Sequence, residues 1–287
     1  MKLMSFAHDG RAAWGVVNGS SVADCTSLYP SLRDFIASPD FIRRDAVLRG
    51  KGEAIPLDNV KFRPVIPDPE KIVCLVRNYL DHHREVVGAG VPVDLSEYPP
   101  IFLRYARSQV GHEQPIIRPR VSEQLDWEGE LAVILGKRGR HVAEADAMGY
   151  VAGYSIYNDA SVRDYQFHAK QIAAGKNFDG TGAFGPWMIT SDEVPEPRDL
   201  AIETRLNGTV VQSSNTKYMI FGIPQIIAYV SRIFELIPGD VLVTGTPQGV
   251  GFSRKPPLFM KHGDVVEVEV PGVGLLRNPV ANEAPAP

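Results

Sequence analysis

Two acidic residues separated by a single glycine are the first feature that composition does not explain. Glu128 and Glu130 lie in the segment Leu125-Asp126-Trp127-Glu128-Gly129-Glu130-Leu131. In a strand, residues two apart point to the same face, so the two carboxylates would lie side by side and repel each other. A divalent cation such as Mg²⁺, Mn²⁺ or Ca²⁺ relieves that repulsion, because hard ions prefer carboxylate oxygens. A solvated strand edge explains the spacing equally well.

A third acid, Asp159, follows the apolar segment formed by residues 151–157. Loops at strand ends often place functional side chains, so Asp159 is a candidate third ligand. Capping of a helix that begins near Ala160 is the more common role for an aspartate in this position. The local sequence favours the cap.

His82 and Glu85 form a second pattern that is able to do chemistry. In a helix, residues three apart share a face, so the carboxylate can orient the imidazole as a general base. An exposed polar helix turn is the more common origin of such a pair. Lys176, isolated in sequence, is by the same standard a solvated charge.

The segment formed by residues 244–251, Thr-Gly-Thr-Pro-Gln-Gly-Val-Gly, predicts a glycine-rich turn after a strand. Such a turn offers backbone N–H groups and a threonine hydroxyl to an anion. It lacks the lysine and the spacing of a phosphate-binding P-loop, so the pattern does not favour nucleotide binding. A purely structural turn is the alternative.

The elements that must position these residues are mostly strands. Residues 130–136 form an apolar run, Asn207-Gly208 predicts a hairpin, residues 241–244 predict a buried strand, and valines alternate with glutamates over residues 266–270. One helix is indicated with Pro224 in its first turn, an apolar stripe of Ile226, Ile227, Val230 and Ile233 or Phe234, and an end at residues 238–240. The absence of βαβ alternation predicts a β-rich α+β fold.

The first part of the chain predicts a small β-rich cap domain over residues 1–66. Strands around residues 4–6 and 14–17, separated by Asp9-Gly10, precede a short helix over residues 32–36. The proline-rich stretch of residues 61–69 disfavours regular structure, so we place a domain boundary there, and the larger second domain comprises residues 67–287.

Composition narrows the classes of partner. The 287 residues are 44% hydrophobic and 22% charged, with a net charge of −4, and the basic residues are scattered. These values predict a globular protein that binds small molecules and neither nucleic acid nor membranes. Two cysteines, and no long apolar run at the N-terminus or elsewhere, predict a cytoplasmic protein.

Taken in order, these motifs resemble the fumarylacetoacetate hydrolase family over residues 71–280. The motifs that carry the resemblance are Arg77-Asn78-Tyr79 with Asp81-His82, residues 125–133, Tyr154, Asn158-Asp159, Ser161, Arg163-Asp164 with Gln166, residues 175–179 and 185–187, residues 238–251, and Gly263-Asp264. The resemblance implies a mixed β-roll catalytic domain, a homodimer, and Mg²⁺ or Mn²⁺ bound by Glu128, Glu130 and Asp159.

The resemblance also implies roles for the other residues. His82 and Glu85 match a water-activating dyad on a mobile segment, and Lys176 matches a catalytic lysine near the metal. The matches to substrate-binding positions are Arg77, Tyr79, Arg163, Gln166 and Thr246, the last of which helps to hold a substrate carboxylate. These implications overturn the local interpretations of Asp159, His82 and Lys176.

The implied activity is hydrolysis of a carbon–carbon bond in an acylpyruvate, a fumarylpyruvate or a related diketo acid, as in the catabolism of aromatic compounds. The metal would stabilise the leaving enolate while His82 activates water. The alternatives on the same scaffold are an oxaloacetate-type decarboxylase, an isomerase or a hydratase. A metal-binding protein without activity would lack a ligand or the dyad, and none is missing.

Two departures from the family pattern concern the substrate. Val76 stands where many members have glycine, and Arg104-Tyr105-Ala106-Arg107 replaces a Lys-Pro-Pro-Ser stretch. Arg104 and Arg107 therefore suggest a pocket adapted to an anionic substrate tail.

Overall fold

The computed structural model describes residues 1–91 and 93–285, and strands dominate it. The strands are β1 (Lys2–His8), β2 (Arg11–Asn18), β3 (Ser21–Asp24), β4 (Ala54–Pro56), β5 (Lys61–Phe62), β6 (Ile72–Leu75), β7 (Ile101–Arg104), β8 (Gln109–Val110), β9 (Ile116–Arg118), β10 (Leu125–Asp126), β11 (Gly129–Leu135), β12 (Val151–Asp159), β13 (Ser161–Val162), β14 (Gly182–Thr190), β15 (Ala201–Leu206), β16 (Thr209–Asn215), β17 (Val241–Val243), β18 (Val265–Val270) and β19 (Gly274–Asn282). The helices are α1 (Leu32–Ala37), α2 (Arg44–Leu48), α3 (Leu80–Gly88), α4 (Arg163–Gln166) and α5 (Ile223–Ile233).

One large mixed sheet runs through the molecule in the order β4-β3-β2-β1-β14-β12-β11-β17-β6-β7. β17 and β6 are parallel, whereas β11 pairs with both β12 and β17 in the antiparallel sense. A second sheet has the order β16-β15-β18-β19-β9. The β-rich α+β fold predicted from the sequence is confirmed.

The central strands are covered on both faces. Every residue of β11 is buried, and its side chains alternate between two cores. Leu131 and Val133 belong to the core that includes α5 and the second sheet, while Ala132 and Ile134 belong to the core on the opposite face, which includes residues of helix α1. Burial on both faces explains why β11 is a continuous apolar run and shows no alternation of polar and apolar residues.

The N-terminal strands continue the large sheet. Lys2 and Leu3 of β1 pair with Ile189 and Met188 of β14, and β5 pairs with β1 inside the segment where prolines predicted irregular structure. The division into residues 1–66 and 67–287 stays a prediction, and residues 286 and 287 lie outside the described part of the chain.

Helix α5 begins as predicted and ends earlier. The side chain of Gln225 accepts the Gly222 amide at 2.8 Å, and Ile226, Ile227 and Val230 are buried. The helix ends at Ile233, well before residues 238–240. Within residues 1–91 and 93–285, no helix is long and apolar enough to span a membrane.

Candidate active site

Strand register brings the sequence motifs to one end of the large sheet. β11 starts where its antiparallel neighbour β12 ends, with Gly129 opposite Asn158. The end of β17 lies beside the end of its parallel neighbour β6, with Val243 opposite Cys74. Because β11 is also antiparallel to β17, the start of β11 meets the loops that follow β12, β17 and β6.

Three carboxylates meet at this end of the sheet. Glu128, Glu130 and Asp159 are buried, and each offers an oxygen within 4.8 Å of the others. The amide of Asp159 donates to the carbonyl of Glu128 at 2.9 Å, which fixes the two strand ends together. Asp159 ends β12, and helix α4 instead begins after Val162 without a side-chain cap. The local interpretation of Asp159 as a helix cap is therefore wrong.

Two buried cations neutralise part of this charge. The Nζ atom of Lys176 donates to Oε2 of Glu128 and to Oδ2 of Asp159, both at 2.6 Å. The Nη1 atom of Arg104 donates to Oδ1 of Asp159 at 2.5 Å. Both carboxylate oxygens of Asp159 are thus bound, and Lys176 is a buried ion-pair partner and not a solvated charge.

A third cation, Arg163, joins Glu128 to a fourth acid, Asp126. Its Nε donates to Oδ2 of Asp126 at 2.8 Å, and its Nη1 lies 2.7 Å from Oε1 of Glu128. Although burial opposes the charge, Lys176 and Arg163 hold the pKa of Glu128 below its ordinary value. Glu128 is therefore ionised in the folded protein.

Glu130 differs from the other acids of the cluster. It has no salt bridge within the described chain, and its Oε1 is buried without a hydrogen-bond partner there. Burial, followed by repulsion from Asp159 and Glu128, raises the pKa of Glu130 well above its ordinary value. Four acids, counting Asp126, face three cations, and the unmatched charge is that of Glu130. The donor set and this unmatched acid fit a hard divalent cation.

The dyad predicted from sequence is formed on helix α3. Nδ1 of His82 lies 3.0 Å from Oε2 of Glu85, while Oε1 of Glu85 accepts the Ser253 hydroxyl at 2.6 Å and the Gly249 amide at 3.0 Å. Burial works against the charge of Glu85, yet hydrogen bonds from His82, Ser253 and Gly249 hold its pKa below the ordinary value. An ionised Glu85 keeps the His82 proton on Nδ1, which leaves Nε2 as a proton acceptor.

The glycine-rich loop of residues 244–251 binds anions that belong to the protein itself. Three of its amides donate to carboxylates of the site: Gly245 to Glu130 at 2.5 Å, Gly249 to Glu85 at 3.0 Å, and Gly251 to Asp126 at 2.7 Å. The sequence indicated an anion-binding turn, but Ser253 and Asp126 were not identified as members of the site. The glycine spacing was the available signal for amides pointing into the site.

A cavity of about 730 Å³ opens onto this cluster. Most of the site residues predicted from sequence line it: Arg77, His82, Glu128, Arg163, Gln166, Lys176 and Thr246. The Thr246 hydroxyl already donates to the Gly129 carbonyl at 3.1 Å and accepts from Gln212 at 2.8 Å. The hydroxyl of Thr246 therefore has one lone pair left to accept a hydrogen bond.

Three predicted substrate-binding residues lie elsewhere. Tyr79 is buried beside Glu130. Its burial and, to a smaller extent, the charge of Glu130 raise the pKa of the phenol. Arg104 is buried on Asp159, and Arg107 is exposed and pairs with Asp179 at 2.7 Å. The structure gives both arginines other partners, so it does not bear out the expectation that they form an anionic subsite.

Comparison with known proteins gives a consistent group of relatives. The family model described as fumarylacetoacetate (FAA) hydrolase C-terminal matches residues 71–281. The chain is 40% identical over 271 residues to oxaloacetate tautomerase fahd2, mitochondrial, of Xenopus laevis, covering 92% of this chain and 83% of that protein. It is 41% identical over 273 residues to oxaloacetate tautomerase FAHD2A, mitochondrial, of Bos taurus, covering 92% and 85%.

Solved structures show the same similarity. A fumarylacetoacetate hydrolase from Exiguobacterium antarcticum superposes with a TM-score of 0.84 at 36% identity, covering 99% of this chain and 100% of that one. A 2-hydroxyhepta-2,4-diene-1,7-dioate isomerase from Mycobacterium marinum gives 0.77 at 29% identity with the same coverage. A maleylpyruvate hydrolase from Sphingobium sp. SYK-6, in complex with manganese(II) and pyruvate, gives 0.80 at 29% identity, again covering 99% and 100%.

These relatives contradict the predicted cytoplasmic localisation, because the Xenopus and Bos proteins are named mitochondrial. The prediction rested on the small number of cysteines and on the absence of an apolar run, and these features bear on secretion. Mitochondrial transit segments are amphipathic and rich in arginine and serine, so apolar content does not report them.

Proposed function

Since the chain belongs to the fumarylacetoacetate hydrolase family of enzymes, we propose that it interconverts the keto and enol forms of an oxaloacetate-type 2-oxo acid. The observation that carries the proposal is the His82–Glu85 pair, which presents a proton acceptor to the cavity that Glu128 also lines. The oxaloacetate tautomerases among its relatives support this reaction over the hydrolysis favoured by the sequence.

Glu128, Glu130 and Asp159 would hold the cation, for which we propose Mg²⁺ or Mn²⁺. When bound, it supplies a Lewis acid that polarises substrate oxygens and makes the adjacent carbon more acidic. The maleylpyruvate hydrolase structure with manganese(II) supports the choice of ion.

His82 carries the proton transfer in this proposal. Nε2 removes a proton from the carbon beside the carbonyl and the C–H electron pair forms the carbon–carbon double bond. The π pair of the carbonyl moves to its oxygen, which takes a proton from solvent to give the enol, and the imidazolium returns its proton to solvent. Glu85 stabilises the imidazolium formed in this step, since its carboxylate remains 3.0 Å from Nδ1. The reverse transfer regenerates the keto form.

The other residues bind and orient the substrate. Arg163 and Gln166 are joined by a 2.8 Å hydrogen bond and line the cavity together. Lys176 donates hydrogen bonds to two of the carboxylates, so its role in this proposal is to hold the acid cluster together. The substrate class and a homodimer stay proposals, and sedimentation velocity checks the dimer.

Carbon–carbon bond hydrolysis is the second candidate, because the same dyad can deprotonate water. The maleylpyruvate hydrolase among the structural neighbours supports it. The two reactions differ in whether water enters the product, so isotopes distinguish them.

The test incubates Mn²⁺-loaded protein with oxaloacetate in D₂O and with acylpyruvates in H₂¹⁸O. Deuterium uptake at the carbon beside the carbonyl, followed by NMR, without CO₂ release or ¹⁸O in products, is the result expected. Cleaved, ¹⁸O-labelled products would favour hydrolysis, and release of CO₂ would favour decarboxylation. Glu85→Gln should slow the exchange about 100-fold, whereas Asp81→Asn, an exposed acid on the same helix, should leave it unchanged.

A further inference from the structure

Arg77 occupies an unusual position beside the cavity. It lies in the connection between β6 and α3, the helix that carries His82, and its side chain lines the cavity. Its backbone has φ +57°, a left-handed conformation that is uncommon for a residue with a side chain. The surrounding structure must therefore impose this conformation.

Asn78 provides that constraint. Its buried side-chain amide donates to the carbonyls of Phe221 and Thr244 at 2.9 and 2.8 Å, and its oxygen accepts the Phe221 amide at 2.8 Å. On the other side, Gly245 leaves room for the Asn78 side chain, since a Cβ at Gly245 would lie 2.6 Å from the Asn78 Cβ. These contacts fix the backbone that directs Arg77 toward the cavity.

Arg77 is also a half-buried cation without a partner. Across residues 1–91 and 93–285 it makes no salt bridge and its side chain donates no hydrogen bond. Of the other cations that line the cavity, Arg163 and Lys176 are paired with acids, and Lys170 is exposed to solvent. Burial lowers the pKa of Arg77, which remains cationic at neutral pH. A partly desolvated charge without a counter-ion is costly, so the position suits an anion that arrives with the ligand.

We propose that Arg77 binds the second carboxylate of the substrate, so that the enzyme selects dicarboxylic 2-oxo acids over monocarboxylic ones. This inference rests on the proposed function, which places the 2-oxo acid group of the substrate at the acid cluster. The planar guanidinium matches a carboxylate in a paired hydrogen-bonding geometry. Arg77 takes the role that the sequence suggested for Arg104 and Arg107.

The test is a binding experiment that needs no turnover. Calorimetric titrations of Mn²⁺-loaded protein compare 2-oxoglutarate with 2-oxopentanoate, which has a methyl group in place of the second carboxylate, and 2-oxoadipate with 2-oxohexanoate. The wild type is expected to bind the preferred diacid about 10- to 100-fold more tightly than its partner. Arg77→Met should abolish that preference and leave the affinity for the monoacid within about twofold.

Two further variants make the result specific. Arg77→Lys keeps the charge without the planar donor pair, so an intermediate preference is expected. Arg107→Met removes an exposed arginine outside the cavity and should preserve the full preference. The inference would be overturned if the wild type preferred neither diacid. It would also be overturned if Arg77→Met kept the preference, or if it lowered the affinities for the diacid and the monoacid equally. Deuterium exchange from oxaloacetate reports separately on the proposed function, so the two failures are distinguishable.

Discussion

Replacing Glu130 with glutamine tests the metal site without relying on activity. The substitution preserves the size of the side chain and an oxygen that accepts the Gly245 amide. It removes the one acid of the cluster that has no cationic partner among the described residues. We expect the variant to fold and to lose most of the stabilisation that Mn²⁺ gives to the wild type.

The size of the effect follows from the spacing of the carboxylates. The carboxylate oxygens lie within 4.8 Å of one another, and at that separation and an effective dielectric constant of about 20 two such charges repel by about 3 kcal/mol. Glu130 faces two such charges, and Lys176 offsets roughly one of them, which leaves about 3 kcal/mol that a bound cation relieves. Glutamine has no such repulsion to relieve, so its affinity for the cation should be about 100-fold weaker.

Thermal unfolding with EDTA or with Mn²⁺ measures the difference. At a concentration 100 times its Kd, the cation stabilises the wild type by about 2.7 kcal/mol, and the variant by about 0.4 kcal/mol at the same concentration. With an unfolding entropy of about 2.1 cal/mol/K per residue over 287 residues, these values raise Tm by about 4 °C and less than 1 °C. Glu113→Gln, an acid paired with Arg277 away from the cluster, should behave as the wild type. An equal Mn²⁺-induced shift in Glu130→Gln would refute the assignment of Glu130 as a ligand.

Two further predictions concern stability. Burial, and to a smaller extent the charge of Arg277, lowers the pKa of His112 to about 4. The unfolded chain therefore binds a proton at a higher pH than the folded protein does. The free energy of unfolding should fall by up to about 3 kcal/mol as the pH drops from about 6.5 to about 4. His112→Asn, whose oxygen can accept the Arg277 amide, should remove that part of the pH dependence in urea unfolding, and an unchanged profile would contradict the account. Gly245→Ala should cost about 3 kcal/mol, because Gly245 has φ +96° and the new Cβ would meet Asn78. Gly10→Ala, at φ +74° with open space around the new Cβ, should cost only about 1 kcal/mol. If both variants lost the same free energy of unfolding, the contact with Asn78 would contribute nothing and backbone strain would explain both.

Much of the fold follows from local pattern. The alternating valines of β18 are buried and the residues between them are half-buried, because a strand on a sheet surface has a period of two. The Asn207-Gly208 hairpin forms because both residues adopt positive φ. Such elements need only their own residues, which is why the sequence predicted their existence and their approximate bounds.

The partners of the site residues could not be predicted in this way. Arg104 and Arg107 are three residues apart, yet the first is buried on Asp159 and the second is exposed beside Asp179. Their partners are 55 and 72 residues away in the chain. Which acid each arginine meets depends on the order of strands in the large sheet, and no local pattern contains that order.

The glycine-rich loop of residues 244–251 shows how this limit bears on function. Its amides hold Glu130 of the proposed metal site and Glu85 of the dyad, so a single segment fixes the position of Glu130 relative to the dyad. Tautomerisation and hydrolysis both need that arrangement, and neither the loop nor the dyad distinguishes them. Selection between the reactions must then arise from contacts that the substrate makes outside the proposed metal site. Among the described cavity residues, Arg77 is the half-buried cation still free to do so, and its backbone is fixed through Asn78 against Gly245 of the same loop.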